Sequence, residues 1–484
     1  MTHPTIDAPT DDQPRQTAPR AMVPVLAFAG IIVAVLQTLL VPVIGDLPAH
    51  LDTTPGNAGW VLTSTLLAGA VATPIMGRLG DLYGKRRLLI TSLAVMVVGA
   101  LISALTSDFL TMIVGRTLQG FAMGAVPLGI GLMRDVLPPE KLPSGMALMS
   151  SSMGVGGGLA IPAAALVAQY ADWHTLFYGA AGLGLLAIVL TLLVVPESPV
   201  RAEGRFDLLG ALGLSVGLVL LLLPITKGAS WGWSSGTTLG LFAAAALVLI
   251  LWGTMELRMR TPLVDLRTAA RREVLLTNLV ALMVGFAFYV ITLVMPQLLQ
   301  LPTATGYGFG LSILATGAYM APLGLTIMCM SAIYARLSAR LGPTTTLAIG
   351  LAVIAIGYVA GIALLSAAWQ TIVTSIVVGA GVGLAYAALP ALIVGAVDAS
   401  ETGAANGLNT LMRYVGMTVS SAVIATVLAA TAHTVGGVEI PTINGFRVSF
   451  TAAIAAVTIA LFLVVLLRRA TRPHADAGED EEPR

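Results

Sequence analysis

Gly77–Arg87 reads GRLGDLYGKRR, with glycine at 77, 80 and 84, a single aspartate at 81 and basic residues at 78, 85, 86 and 87. It separates two long apolar runs, near 57–77 and 88–106. A helix needs about 20 apolar residues to cross hydrocarbon, so this stretch reads as a charged hinge between two membrane spans. A degenerate copy lies 258 residues further on. Arg78, Leu79, Gly84, Leu89, Leu93, Ala94, Val95 and Gly99 line up with Arg336, Leu337, Gly342, Leu347, Leu351, Ala352, Val353 and Gly357, eight identities in 22 ungapped positions.

Composition agrees with the hinge. Charged residues are 10% and hydrophobic residues 57% of 484, whereas about a quarter of a soluble domain is charged. A soluble fold could not hide that much apolar side chain, so lipid must cover the outside. The one cysteine, Cys329, lies in an apolar run and leaves no intrachain disulfide to form. A net charge of +1 gives no reason to propose nucleic acid as a partner. Residues 1–20, with Asp7, Asp11, Asp12, Arg15, Arg20 and several prolines, read as a disordered tail rather than a signal peptide.

Fourteen apolar segments are long enough to span, near 22–45, 57–77, 87–106, 109–133, 144–168, 175–195, 208–226, 237–256, 275–300, 309–330, 344–366, 371–396, 403–430 and 447–467. With the N-terminus placed in the cytoplasm and the chain threaded alternately, 21 of the 25 Lys and Arg fall on the cytoplasmic side. Such an excess sets orientation. Both termini are therefore expected in the cytoplasm of a multi-pass protein of the cell membrane. Gly145 and Gly154 match Gly407 and Gly416 at offset 262, and Gly120 and Pro127 match Gly383 and Pro390 at offset 263. Spans 3–5 thus map onto spans 11–13, a shift of eight that a six-plus-two-plus-six arrangement explains. The fold expected is an all-α polytopic membrane protein of 14 helices, two six-helix pseudo-repeats with an inserted pair. Its segments are a cytoplasmic tail 1–21, a first half 22–196, the inserted pair and linkers 197–273, a second half 274–467 and an acidic cytoplasmic tail 468–484. Parallel halves of this kind suit alternating access at their interface.

The chain resembles the major facilitator superfamily, and its count of spans resembles the fourteen-helix drug:proton antiporter branch. Residues 77–87 match the superfamily's loop 2–3 signature, with Gly80 where alanine is usual. IVGRTLQGFAMG, 113–124, matches a span 4 signature through Arg116, Gln119 and Gly120. GVGGGLAIPAAA, 154–165, partly matches the span 5 antiporter signature: Gly154, Gly158 and Pro162 are kept, but Ala164 and Ala165 stand where glycines are expected.

The resemblance implies a conformational latch at Gly77, Arg78, Asp81, Gly84, Lys85 and Arg86. Asp81 would pair with Arg78, Lys85 or a helix N-terminus of the other half. Ala339 replaces the aspartate in the second copy, so one such latch is expected. The arginine equivalent to Arg116 is implicated in proton handling. A guanidinium in hydrocarbon must be paired or wet, which turns Arg116 inward, toward Gln119 or backbone carbonyls. Because arginine does not release its proton, Arg116 would act on a neighbouring carboxyl. Arg413, near the middle of span 13, shares a polar stripe with Asn406, Asn409 and Thr410, and Arg413, Asn406 and Asn409 are expected, with Gln37 and Gln119, to line a central substrate cavity.

None of the 24 Asp and Glu falls in the middle third of a span. Span 1 carries Gln37 where the fourteen-helix antiporters usually have an aspartate, so the usual proton site is missing. Asp46, at the outer end of that helix, is the substitute candidate. Two arginines and no acid favour neutral or anionic amphipathic substrates over cations. With no GxxxxGK[ST] loop, direct ATP drive is not expected, and neither a metal site, a cofactor nor an enzymatic activity is expected. The function expected is export of small hydrophobic or amphipathic compounds by a monomer embedded in the lipid bilayer and driven by the proton gradient. The alternative is an uptake symporter or facilitator for a specific small metabolite.

Overall fold

A computed structural model of the chain describes residues 20–40, 43, 46–259, 261–435 and 438–471. The long helices, in chain order, are α1 Met22–Thr38, α2 Trp60–Tyr83, α3 Lys85–Ala104, α4 Phe109–Val136, α5 Leu142–Tyr170, α6 Thr175–Val194, α7 Leu208–Trp231, α8 Gly236–Glu256, α9 Arg272–Gln300, α10 Ile313–Leu341, α11 Pro343–Ala363, α12 Ala368–Ala396, α13 Thr402–Ala430 and α14 Ile443–Thr471. Twelve helices among the described residues are long and apolar enough to cross a membrane. They make this a multi-pass membrane protein, because a chain in hydrocarbon must satisfy every backbone polar group internally. Of the two long helices outside that twelve, α1 is apolar but only 17 residues, and α5 is 29 residues.

Local chemistry places the breaks. Gly84 separates α2 from α3 with φ +113°, and Gly342 separates α10 from α11 with φ +79°. These are the positions that the 258-residue offset aligns, and glycine is the residue that adopts such backbone without strain. α4 tightens into a 3-10 turn at Phe121–Gly124, one turn before Pro127, whose ring clashes with the carbonyl four residues earlier. Asp108, Asp207, Ser235 and Ser312 each accept a backbone N–H in the first turn of the helix that follows.

Two findings differ from the sequence reading. The long elements are all helices, as expected, and a short antiparallel hairpin is added between α13 and α14, Ala432–Val435 with Val438–Pro441, labelled β1 and β2. The strands read AHTV and VEIP and flank Gly436-Gly437 in the sequence, a pair whose composition favours a two-residue hairpin loop, and the segment was hidden between stronger apolar runs. Helices also overrun their apolar segments. α10 continues to Leu341, carrying Arg336 and Arg340, and α14 continues to Thr471, because backbone hydrogen bonding does not stop where hydrophobicity does. The proposed tails fall mostly outside the described residues.

α1–α6 and α9–α14 form two bundles that meet along two seams, α5 against α10 and α2 against α13. Gly99 lies against Gly115 where α3 meets α4, and Gly357 lies against Val378 where α11 meets α12. Those contacts correspond under the offsets 258 and 263. α7 packs on both α2 and α13, and α8 packs on α7. Only 11% of α8 is buried along its apolar stretch, against 72% for α9 and α12, so the middle pair is an outrigger whose outer face, with Leu247, Ile250 and Leu251 exposed, is left for lipid.

Candidate functional site: a seam latch and a central arginine

The hinge lies at one end of the α2–α13 seam, where the two bundles are tied. Asp81 is fully buried. Its Oδ1 accepts from Gly403 N at 3.1 Å and its Oδ2 from Ala404 N at 2.8 Å. Both are first-turn amides of α13, which have no partner inside their own helix, and the helix dipole adds to the attraction for an anion there. Gly77 is a glycine because a Cβ at that position would run into the Gly403 backbone carbonyl. Lys85, also fully buried, bridges Asp81 (3.3 Å) and Asp135 (2.8 Å), and Ser198 Oγ donates to Asp135 as well.

A second tie crosses the seam beside it. Arg134 gives NH2 to Val397 O (2.8 Å) and NH1 to Asp398 O (3.1 Å) and Thr402 Oγ1. It thereby caps the exposed carbonyls that follow α12. Arg86 and Gly84 belong to a separate clasp within the first bundle: Glu197 accepts from Arg86 N at 3.0 Å, and Arg86 NH2 donates to Leu192 O at 2.6 Å. Arg78 is buried but does not bond Asp81. It lines a neighbouring cavity with Glu401 and Asp265. Sequence reasoning missed Arg134, Asp135 and Glu197. The 263-residue offset takes Asp135 to Asp398, and that correspondence was the available signal.

Arg116 is fully buried and fully used. Nε donates to Val61 O (3.0 Å), NH1 to Gln119 Oε1 (2.7 Å) and NH2 to Leu36 O (3.1 Å). Leu36 belongs to the last turn of α1, whose carbonyls lack intrahelical donors, so Arg116 ties α1, α2 and α4 together. Gln119 passes the network on, donating to Gly99 O and Ser103 Oγ. No carboxylate is among these partners. Lysine offers no planar fork to serve three acceptors. Arg116→Lys should therefore lower stability by about 2–4 kcal/mol, read as an earlier thermal unfolding of the detergent-solubilised protein. An unchanged transition would show that the three ties carry no weight.

The polar stripe of α13 is buried, and its members have different roles. Asn406 Nδ2 donates to Thr402 O (3.0 Å), within its own helix. Asn409 Nδ2 donates to Asn278 Oδ1 of α9 (3.0 Å). Arg413 donates to Thr410 Oγ1 (3.2 Å), and its guanidinium lies 4.9 Å from the Tyr386 ring of α12. Its Nε and NH1 are buried without hydrogen-bond partners. One residue on, Tyr414 OH accepts from Gln37 Nε2 at 3.3 Å, a bond from α1 to α13 across the two bundles.

On the α5–α10 seam, Gly154 packs against Ile327, and Pro162 lies 2.9 Å from where a Cβ on Gly317 would stand. Gly158 lies in α5 between them. Asp46 is exposed at the far end of the molecule. It shares a cavity of about 590 Å³ with His50, Asp172, Trp173 and Ser312. There the backbone N–H and ring of His174 hold the Asp172 carboxyl below its ordinary value.

The latch end is closed by at least five cross-bundle hydrogen bonds, three from Arg134 and two to Asp81. The far end carries a broad cavity at the ends of α1, α5 and α10. Known proteins share this architecture. The chain is 25% identical over 411 residues, 82% of its length and 77% of the relative's, to multidrug resistance protein 3 of Bacillus subtilis. It is 27% identical over 408 residues, 83% and 74% of the two lengths, to the tetracenomycin C resistance and export protein of Streptomyces glaucescens. The crystal structure of the human organic anion transporter MFSD10 (TETRAN) superposes with a TM-score of 0.66 at 16% identity, covering 93% of this chain and all of that one, which speaks to the fold alone. The family model described as Major Facilitator Superfamily matches residues 26–421 and 279–484, and with so much of the sequence accounted for, the chain belongs to that superfamily of membrane transporters.

Proposed function

We propose that the protein is a secondary active exporter of small hydrophobic or amphipathic compounds, neutral or anionic, working by alternating access and driven by the proton gradient. The observation that carries the substrate class is Arg413, a buried cation with two guanidinium nitrogens unspent, in a layer with Tyr386 and with Tyr414 and its partner Gln37. A cation so placed is costly until something anionic or strongly accepting meets it. The relatives' names, multidrug resistance and tetracenomycin C export, support efflux at the level of about 25% identity.

The latch end faces the cytoplasm in this reading, and the molecule stands with that side shut. All fourteen long helices cross the cell membrane as two six-helix repeats with α7 and α8 inserted, both termini are cytoplasmic, and the protein works as a monomer. Reporter fusions after residues 52, 108, 172, 230, 305, 368 and 440 should read outside, and fusions after 84, 140, 202, 265, 340 and 400 inside. An inside signal at 230 with an outside signal at 265 would remove the α7–α8 pair from the scheme.

Reconstitution into vesicles tests the function. Panels of neutral, anionic and cationic compounds are offered with and without a pH gradient, and accumulation of neutral or anionic compounds should require the gradient. Asp46→Asn should abolish gradient-driven accumulation and spare downhill equilibration. If accumulation persists in that variant, Asp46 is not the coupling group. If the wild-type protein ignores the gradient, export by proton exchange gives way to facilitated movement of a specific metabolite, the reading that Gln37 in place of an acid supports.

A further inference from the structure

Away from the latch, two carboxyl groups are buried together where the inserted pair meets its linkers. Asp207 caps α7, its Oδ1 accepting from Gly210 N at 2.8 Å. Glu256 ends α8, its Oε2 accepting from Leu263 N at 3.0 Å. The two residues are 6% and 2% exposed. The second oxygen of each, Asp207 Oδ2 and Glu256 Oε1, is buried with no hydrogen-bond partner. Both of these oxygens stand over Gly210, in the space that a Cβ there would fill, so they converge on one spot. Trp252 closes the site from α8, its indole N–H donating to Gly210 O at 2.8 Å.

No basic side chain among the described residues balances the pair. Arg205 and Arg258, next in sequence, are exposed. On the following linker, Arg267 donates NH2 to Leu257 O (3.0 Å). The Asp265 carboxylate accepts from Arg267 N (2.9 Å) and Thr268 N (3.3 Å) and is used in capping its own turn. Neither faces the pair. Two buried carboxylates with no counter-ion among the described residues are expensive, and two that share a site cannot both ionise cheaply. One proton resolves both problems, since it turns one unpartnered oxygen into a donor and leaves the other as its acceptor.

We propose that Asp207 and Glu256 form a proton-binding site, with one proton held between Asp207 Oδ2 and Glu256 Oε1 and the two groups titrating as a pair. The site is wired to the latch. Glu256 holds the linker at Leu263, and Leu263 and Val264 line a cavity of about 220 Å³ with Arg78, Glu401 and Ala404. Ala404 supplies one of the two amides that grip Asp81. Loss of the proton sets two like charges against each other beneath that linker and loosens its hold beside the latch. The site thus gives the inserted helices a proton-binding task of their own, separate from the coupling group sought at Asp46.

Infrared difference spectroscopy of the full chain in lipid nanodiscs tests this, with pH raised stepwise in H₂O and D₂O. The wild-type protein should show a D₂O-sensitive carboxylic C=O stretch that survives above the pH at which exposed carboxyls ionise and bleaches as pH rises further. Glu256→Gln should remove it. Asp207→Asn removes the opposing charge and should weaken proton binding at Glu256 about tenfold or more, moving the midpoint down by at least one pH unit. Spectra of Glu256→Gln identical to wild type would overturn the proposal. Should that variant fail to fold, an unmoved midpoint in Asp207→Asn would overturn it equally. Bleaching of the band by sodium at fixed pH would make this a metal-cation site and would also overturn it.

Discussion

Asp81→Asn is expected to open the latch end and slow transport while the protein remains folded and inserted. The aspartate carboxylate receives two α13 amides and one lysine. Asparagine has one acceptor oxygen, so one of the amides of Gly403 and Ala404 loses its partner, and the charge that met the helix dipole is gone. Hydrogen bonds to a charged group are worth about 1.5–3 kcal/mol each, and the variant keeps one of two in neutral form. The closed state should lose about 2–3 kcal/mol, a shift of roughly 30- to 150-fold in the balance of access states. Lys85 retains Asp135, which is why folding should survive. Labelling of a cysteine placed on the cytoplasmic face of α13 would report the shift, and counterflow in vesicles would report turnover. Wild-type labelling together with wild-type turnover would reduce residues 77–87 to a topology signal.

Arg413→Gln should move stability and transport in opposite directions. The guanidinium is 2% exposed, with Nε and NH1 unpartnered, so replacing it by a neutral amide relieves the empty protein of an uncompensated cation. Only the Thr410 hydrogen bond and the Tyr386 ring contact are given up, the latter worth about 0.5–2 kcal/mol. Thermal unfolding of the variant should therefore occur at or above the wild-type temperature. Transport of anionic compounds should fall at least tenfold, since a charge-assisted pair in a dry site is worth about 2 kcal/mol or more, and neutral compounds should be affected less. A variant that is less stable and transports anions normally would make Arg413 a structural lock between helices.

The hinge shows how far reading along the chain reaches. Gly84 and Gly342 break their helices as the 258-residue offset implies, because φ beyond the reach of other residues is a local property. That Asp81 has a partner across the seam was an expectation carried by the family resemblance, since the residues alone fit a solvated loop equally well. Its choice of Gly403 and Ala404, 322 and 323 residues away, was foreseen only as some helix N-terminus of the other half. Of the three partners the sequence offered, the structure shows the helix N-terminus and Lys85, while Arg78, three residues from Asp81, lines the adjoining cavity. The hairpin at 432–441 was overlooked because apolar length outweighs short-range alternation in a chain this hydrophobic.

The sequence by itself determined that lipid surrounds this chain, where its apolar helices lie and where its glycines break them, because transfer free energy and backbone sterics act residue by residue. Only the tertiary structure decided which polar groups are satisfied and which are not. Arg116, saturated by carbonyls, and Arg413, left with two unspent donors, are alike as single arginines in apolar runs. Asp207 and Glu256 lie on different helices and share one spot over Gly210. Those differences arise from which helix ends and faces pack together, and that is settled by contacts between residues tens to hundreds of positions apart.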